Sequence, residues 1–202
     1  MPASGEGVGR MGGGAAWLRS DCTVRLRSLV LASLAEQSRV RARSALPAIP
    51  AAGLGPLREG EDLEVPRILG LALIAAGAAA PADEGVEVEL YRAQGKERAA
   101  AQSGSPQLSQ LRPGFYRKVA SSLAAMELAG MGEAARRALS VYQDLMTLRL
   151  QKVARSLGYT SVPASLPNAT DEERALFECA SAIFRRWREI MEGVDLVGGR
   201  VH

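Results

Sequence analysis

The strongest constraint on the fold is a helical repeat of apolar residues through the C-terminal half of this 202-residue chain. After Pro113, apolar residues recur at positions i, i+3, i+4, i+7 and i+10, as they do on one face of an α-helix. This stripe consists of Tyr116, Val119, Ala120, Leu123 and Met126. A second stripe predicts a long helix over about 133–157. We therefore predict a helical bundle domain over residues 108–193.

The last helix of this domain has a recognisable start at Thr170-Asp-Glu-Glu173. In a capping box of this pattern, the side chain of Thr170 accepts from the backbone N–H of Glu173, and Glu173 accepts from the backbone N–H of Thr170. Acidic residues at this place stabilise a helix N-terminus, so we interpret the cluster as a cap and not as a catalytic acid–base pair. The stripe behind it includes Ile183, Phe184 and Trp187.

The first half of the chain has short elements. Apolar and polar residues alternate at Val24–Leu26, around Val40–Ala42 and over Val86–Tyr91, which predicts three short strands. Residues 21–91 are therefore predicted to form a small β-rich domain. The predicted fold class is α+β: a small β-rich α/β domain, followed by a mainly α, helical bundle domain.

Proline and glycine mark the segments between these elements. Residues 46–60 contain three prolines and three glycines among apolar residues, which predicts an ordered loop. Pro66 suits the first turn of a helix, and Gly77 suits its end. The polar stretch 92–107 has no aliphatic residue larger than Ala up to Pro106, so we predict a linker there.

The two ends of the chain are predicted to be tails. Residues 1–20 are rich in glycine and have little apolar periodicity, so they are expected to be disordered, and residues 194–202 are a second tail. The N-terminal segment has no apolar core of a secretory signal. The most apolar stretch, 68–82, is too short to cross a bilayer, so we expect no membrane contact and a cytoplasmic location.

The histidine and cysteine content excludes many enzyme classes. The only histidine is His202, so no internal imidazole can serve in a catalytic triad or a His-ligated metal site. Cys22 and Cys179 are 157 residues apart and belong to no C-x-x-C pair, so we expect two free thiols. The glycines lack the spacing of a phosphate-binding loop. We therefore predict no catalytic residues, no cofactor and no metal.

Charge gives little support for a dedicated nucleic-acid binder, because the net charge is only +3. Clusters of basic residues are best explained as solvated helix or strand faces. Arg149 differs because it falls near the apolar stripe of the second helix, where it would pair with a carboxylate of a neighbouring helix or of another chain. Trp187 and Phe184 fit either the core or an exposed binding hot spot.

Short motifs occur in a fixed order along the chain. In the first domain they are Leu46-Pro-Ala-Ile-Pro50, Gly55-Pro-Leu-Arg-Glu-Gly-Glu61 and Glu64-Val-Pro-Arg-Ile-Leu69. In the second domain they are Phe115-Tyr116, Arg149-Leu-Gln-Lys152-Val153 and Thr170-Asp-Glu-Glu173. The order and placement of these motifs resemble those of the GINS family of archaeal and eukaryotic replication proteins, in the archaeal subunit class in which the small B domain precedes the helical A domain. The chain departs from the family pattern at Leu57 and Ile68, where aromatic residues are common.

This resemblance implies a non-catalytic scaffold subunit. It implies pairing with the other GINS subunit class in a two-plus-two tetramer, which bridges the MCM helicase and a RecJ-family partner at the replication fork, near the nucleoid. It also places subunit contacts on the last two helices, where we assign Tyr142, Arg149, Ile183 and Trp187 as interface residues. A weak contact with DNA is compatible with this role.

Two other classes of function stay open at this point. One is a nucleic-acid-binding regulator, with a small basic N-terminal domain and a helical dimerisation domain. The other is an enzyme that uses only arginines and carboxylates. The regulator would bind nucleic acid tightly by itself with a strong dependence on salt, and the enzyme would lose turnover on substitution of one carboxylate.

Overall fold

The computed structural model describes residues 13–50, 53–82, 85–158 and 166–192, and the side chains from Cys22 onwards. The architecture is α+β, as predicted: a small antiparallel sheet stands beside a larger group of helices. In chain order the elements are α1 (Gly13–Ala35), β1 (Gln37–Ala42), β2 (Asp62–Pro66), α2 (Arg67–Ala75), β3 (Ala79–Pro81), α3 (Val86–Gln102), α4 (Phe115–Leu128), α5 (Gly132–Arg155), a short 3₁₀ turn (Ser156–Gly158) and α6 (Asp171–Met191).

The sheet has the order β2-β1-β3, with β1 antiparallel to both neighbours. Val40 and Ala42 of β1 face the core together with Leu63 and Val65 of β2, while Arg41 points outward and pairs with Asp62 across the strands. This alternation is what a sheet with one covered face requires. The strand predicted around Val40–Ala42 is therefore confirmed.

Helix α2 covers the inner face of the sheet. It begins at Arg67, directly after Pro66, and the chain leaves it through Gly77, whose φ of 73° is in the left-handed region. The end at Gly77 agrees with the sequence prediction, and Pro66 is the N-cap of α2, one residue before the first turn in which it was predicted. The packing is close: a Cβ on Gly70 would lie 2.8 Å from the Oγ of Ser38. The predicted loop 46–60 is closed by bridges from Leu46 to Leu57 and from Ile49 to Leu54.

The N-terminal predictions are wrong where the structure describes the chain. Residues 13–20, assigned to a disordered tail, and Val24–Leu26, assigned to a strand, both belong to α1. The alternation at Val24–Leu26 spans too few residues to outweigh the leucines, alanines and arginines around it, which favour a helix. Residues 1–12 of the predicted tail lie outside the described residues, as does the whole of the predicted tail 194–202.

The linker prediction is also wrong over most of its length. Residues 86–102 form one helix, α3, so the strand predicted at Val86–Tyr91 and the linker predicted at 92–107 are replaced by a single element as far as Gln102. Its alanines, glutamates and glutamines are strong helix formers. A buried stripe of Val86, Leu90, Ala93 and Glu97 packs α3 against the rest of the helical part.

The helical part follows the predicted order. Helices α4 and α5 lie within two residues of the expected segments, and α6 begins directly after Thr170. Phe115, Val119, Ala138 and Leu145 pack with the stripe of α3 in one core cluster. A second cluster joins the end of α5 to α6 through Leu108, Val153, Leu166, Ala169 and Phe177. These two clusters position the polar network and the surface described next.

Candidate interaction surface

Arg149 is completely buried and forms the centre of a charged network. Its Nε donates to Oε1 of Glu173 at 2.6 Å, and its Nη2 donates to Oε2 of the same carboxylate at 2.8 Å. Its Nη1 donates to Oε2 of Glu97 at 2.9 Å and to the carbonyl of Ser109 at 2.7 Å. The two parallel bonds to Glu173 are the geometry in which a guanidinium binds a carboxylate most strongly.

Glu97 and Lys152 extend the network from the other side. The Nζ of Lys152 lies 2.6 Å from Oε1 of Glu97 and also donates to the carbonyl of Gln107. Burial by itself would raise the pKa of Glu97, but hydrogen bonds from Lys152 and Ser109 and the charge of Arg149 hold it below its usual value. Two cations thus face two carboxylates, so the buried charges of this group balance.

Glu173 connects the network to the start of α6. Oε2 of Glu173 accepts from the backbone N–H of Thr170, and the Thr170 hydroxyl accepts from the backbone N–H of Glu173, which confirms the predicted capping box. The hydroxyl of Tyr116 donates to Oε1 of Glu173 at 2.6 Å. Burial, the charge of Glu173 and this bond raise the pKa of Tyr116 above its ordinary value. One carboxylate therefore holds α4, α5 and α6 together.

The structure separates the four predicted interface residues. Arg149 pairs with carboxylates of its own chain and has no exposed surface, so its assignment as an interface residue is wrong, while the alternative of a partner on a neighbouring helix is confirmed. Tyr142 is half-buried, and its hydroxyl donates to the carbonyl of Tyr116. Burial and the charge of Glu172 raise the pKa of Tyr142 to about 12.

Ile183 and Trp187 do lie on the surface. Trp187 stacks on Phe184 with ring centroids 5.6 Å apart and is 51% exposed. Phe184, Trp187 and Met191 line a shallow cleft of about 390 Å³, which Arg188 and Glu192 border. The C-terminal half of α6 therefore has a largely apolar face on the outside of the molecule, which we call the α6 surface. The α6 surface consists of Ile183, Phe184, Trp187, Ile190 and Met191.

Helix α1 is fixed to α6 at the start of this surface. Cys22 and Cys179 form a disulfide with their Cα atoms 5.9 Å apart, and Arg25 pairs with Glu178. The prediction of two free thiols is therefore wrong. A separation of 157 residues in the sequence says nothing about distance once α1 packs against α6.

Glu97, Ser109 and Tyr116 belong to the network but were not predicted as members of it from the sequence. A signal for Glu97 was present, because it follows Val86, Leu90 and Ala93 at helical spacing on the buried face of α3. The polar composition around it favoured a linker and concealed the stripe. Ser109 follows α3 outside any helix, and no local pattern marks it as a partner of Arg149.

The described residues contain no cluster of three or more His, Cys, Asp or Glu side chains that could hold a metal ion. Within the same part of the chain, no helix has the length and apolar character needed to cross a membrane. The sequence matches no protein-family model and no curated protein. The resemblance to the GINS family therefore depends on the motifs and on the order of elements described above.

Proposed function

We propose that this chain is a non-catalytic structural subunit of a GINS-type DNA replication complex. The observation that carries this proposal is the α6 surface, where the half-exposed Trp187 stacks on the partly buried Phe184 at the end of a well-anchored helix. The motif resemblance supplies the kind of complex. The alternative, a nucleic-acid-binding regulator that acts without a GINS partner, is decided by the experiment below.

The α6 surface has the composition of a protein-binding site. Tryptophan and other aromatic residues are enriched at binding hot spots, and clustered apolar side chains are costly to leave in water. Ile183, Ile190 and Met191 are each about half exposed or more, and they extend the patch around Trp187. Arg188 and Glu192 border it and pair with each other at 2.9 Å, so a matching partner has an apolar centre and a polar rim.

The base of α6 is built to hold this surface still. The capping box fixes the first turn, and the bidentate pair of Glu173 with Arg149 fixes that turn to α5. Arg117 adds ion pairs to Glu172 of α6 and to Glu36 at the end of α1, at 2.8 and 3.0 Å. A surface on a rigid element loses less conformational entropy on binding than one on a mobile element, which supports a role in assembly.

The network itself favours a structural role over catalysis. Arg149 and Glu97 have no exposed surface, and Lys152 and Glu173 are almost completely buried. All four charges are neutralised by each other, so the charged group has neither an access path nor a free acid or base to offer a substrate. This supports a non-enzymatic function for the helical part.

We propose the other GINS subunit class as the partner on the α6 surface, in a two-plus-two tetramer. Such a tetramer would bridge the MCM helicase and a RecJ-family protein at the replication fork. The experiment is to co-express the chain with the other GINS subunit class of the same genome and to measure the mass of the complex by light scattering on a sizing column. We expect a stable assembly of two copies of each subunit.

Trp187→Ser tests the surface, and Leu150→Ser is its matched control. Both side chains are about half exposed, but Leu150 lies on α5 and not on the α6 surface. Because hot-spot residues contribute about 2 kcal/mol or more to binding, Trp187→Ser is expected to weaken assembly by a factor of at least roughly thirty. Leu150→Ser is expected to assemble normally, and both variants should keep the wild-type melting temperature.

Either of two results would contradict the proposal. A chain that ignores the other subunit class and binds duplex DNA tightly by itself would support the regulator. Equal loss of assembly in both variants would show that the α6 surface is not the contact.

A further inference from the structure

A cationic groove lies between the N-terminal part of α3 and the start of α4, apart from the α6 surface. It has a volume of about 520 Å³ and an apolar floor that includes Ala93 and Phe115. Four of its lining residues are cations, and one, Glu89, is a carboxylate. The cations are Arg92, Lys96, Arg112 and Lys118. The described lining therefore has a net charge of +3.

Three of these cations are not neutralised by the described part of the chain. Arg112 lies 3.4 Å from Glu89, but Arg92, Lys96 and Lys118 form no ion pair with a described carboxylate. Arg98 on the same helix shows the contrast, because it pairs with Asp144 at 2.7 Å away from the groove. The unpaired cations of α3 and α4 thus converge on one open space.

The arrangement suits a repeating anion better than a single small one. Arg92 and Lys96 are four residues apart, so they are neighbours on one face of α3 with a rise of about 6 Å between them, and Lys118 stands on the other wall. All three side chains are exposed. A site for a small ligand, in contrast, encloses the ligand and removes it from water. Exposed cations in a row bind polyanions by releasing counterions.

We propose that this groove binds the sugar-phosphate backbone of a single nucleic-acid strand. Arg92 and Lys96 contact successive phosphates from one side, and Lys118 contacts the strand from the other. Glu89 holds Arg112 at the edge of the groove. No base is read by these groups, so binding is independent of sequence. The groove is a different surface from the α6 surface, so strand binding and subunit assembly are tested independently.

The test measures the affinity of the full chain for a fluorescent oligothymidylate by anisotropy, as a function of salt. Three phosphate contacts on a single strand predict that the logarithm of the association constant falls against the logarithm of salt with a slope of about −2. The double variant Lys96→Glu with Lys118→Glu is expected to lose at least roughly tenfold in affinity, and its slope should be shallower by about 1.4.

The matched control is Arg58→Glu with Arg136→Glu, which changes the net charge by the same amount at exposed positions outside the groove. This control is expected to keep wild-type affinity within about twofold, apart from long-range charge effects. The neutral pair Lys96→Gln with Lys118→Gln is expected to weaken binding in the same direction by less. Circular dichroism of each variant checks the fold, and the neutral pair carries the test if the charge-reversed pair does not fold.

Several results would overturn the proposal. One is the absence of any measurable affinity of the wild-type chain for the oligothymidylate at about 50 mM salt, where phosphate contacts are strong. Equal losses in the groove variant and the control would show a diffuse charge effect and no site. Displacement of the strand by millimolar inorganic phosphate would indicate a site for one phosphate, and binding to anionic phospholipid vesicles without binding to the strand would indicate a membrane surface.

Discussion

The two halves of α6 differ in a way that reverses the usual expectation for polar and apolar residues. The N-terminal half begins with an acidic turn, yet Glu173 is buried in it together with Ala175 and Phe177. The C-terminal half carries Trp187 and Ile190, yet both are about half exposed. Burial here follows the available partners and not the polarity of the side chain.

The buried half is acceptable because each charge has a counter-charge in contact. A carboxylate removed from water loses several kcal/mol of solvation unless it is paired and hydrogen-bonded. Glu173 accepts bonds from Arg149, Tyr116 and the backbone of Thr170, so its oxygens are fully used. In the exposed half, the described residues cover the apolar side chains only in part.

The largest expected effect is on the buried half. Arg149→Met leaves Glu97 and Glu173 buried without their common partner, which typically costs about 3–5 kcal/mol. The measurement is the free energy of unfolding from urea denaturation. Arg137→Ala is the control, because Arg137 forms an exposed pair with Glu133 one turn away, where the cost is about 0.5 kcal/mol or less. If Arg149→Met were as mild as this control, the network would not be holding the helices together.

An intermediate effect is expected at Glu97, with a dependence on pH. Glu97→Gln replaces charged hydrogen bonds to Arg149 and Lys152 and is expected to cost about 1.5–3 kcal/mol at neutral pH. The pKa of Glu97 is lower in the folded chain than its ordinary value of 4.5, so the unfolded chain takes up the proton first as the pH falls. The free energy of unfolding therefore decreases below about pH 4.5 in the wild type.

The variant lacks this carboxylate, so its stability should fall less steeply over the same acidic range. Asp62 and Asp144, whose pKa values are also lowered, mainly by hydrogen bonds from Arg41 and Gln94 respectively, supply a remaining slope in both proteins. Urea denaturation at several pH values measures the two curves. Parallel curves would mean that Glu97 titrates alike in the folded and unfolded chains.

The smallest expected effects compare the two halves of α6 directly. Thr170→Ala removes the cap hydroxyl from the buried end and is expected to cost about 1 kcal/mol. Ile190→Ser, on the exposed end, is expected to change stability by no more than about 0.5 kcal/mol. Thermal unfolding of the two variants measures the difference. A larger loss for Ile190→Ser would show that the C-terminal half is already covered by its own chain.

Local patterns predicted most of the elements. Period-two alternation identified β1, proline and glycine placed both ends of α2, and helical stripes located α4, α5 and α6. The capping box at Thr170 is a local device, since its bonds join residues three apart, and it was predictable for that reason. The position of Arg149 near the apolar stripe also pointed correctly to a carboxylate partner on another helix.

The errors arose where two local signals competed. Val86–Tyr91 alternates like a strand, but it continues into a stretch of strong helix formers. Because α3 also packs on α5, the whole of Val86–Gln102 forms one helix. Val24–Leu26 alternates in the same way and lies within α1. In both places the alternating run covers six residues or fewer, so tertiary contacts outweigh it.

By itself, the sequence determined the α+β class, the starts of α2 and α6, and the presence of a cation on the buried side of α5. These features depend on backbone propensities, caps and periodicity, which act over a few residues. The tertiary structure alone decided which carboxylates meet Arg149, that Cys22 meets Cys179, and that Trp187 is exposed while Arg149 is not. Those outcomes depend on which helices pack together, and residues 24 to 157 positions apart carry no local signal of their contact.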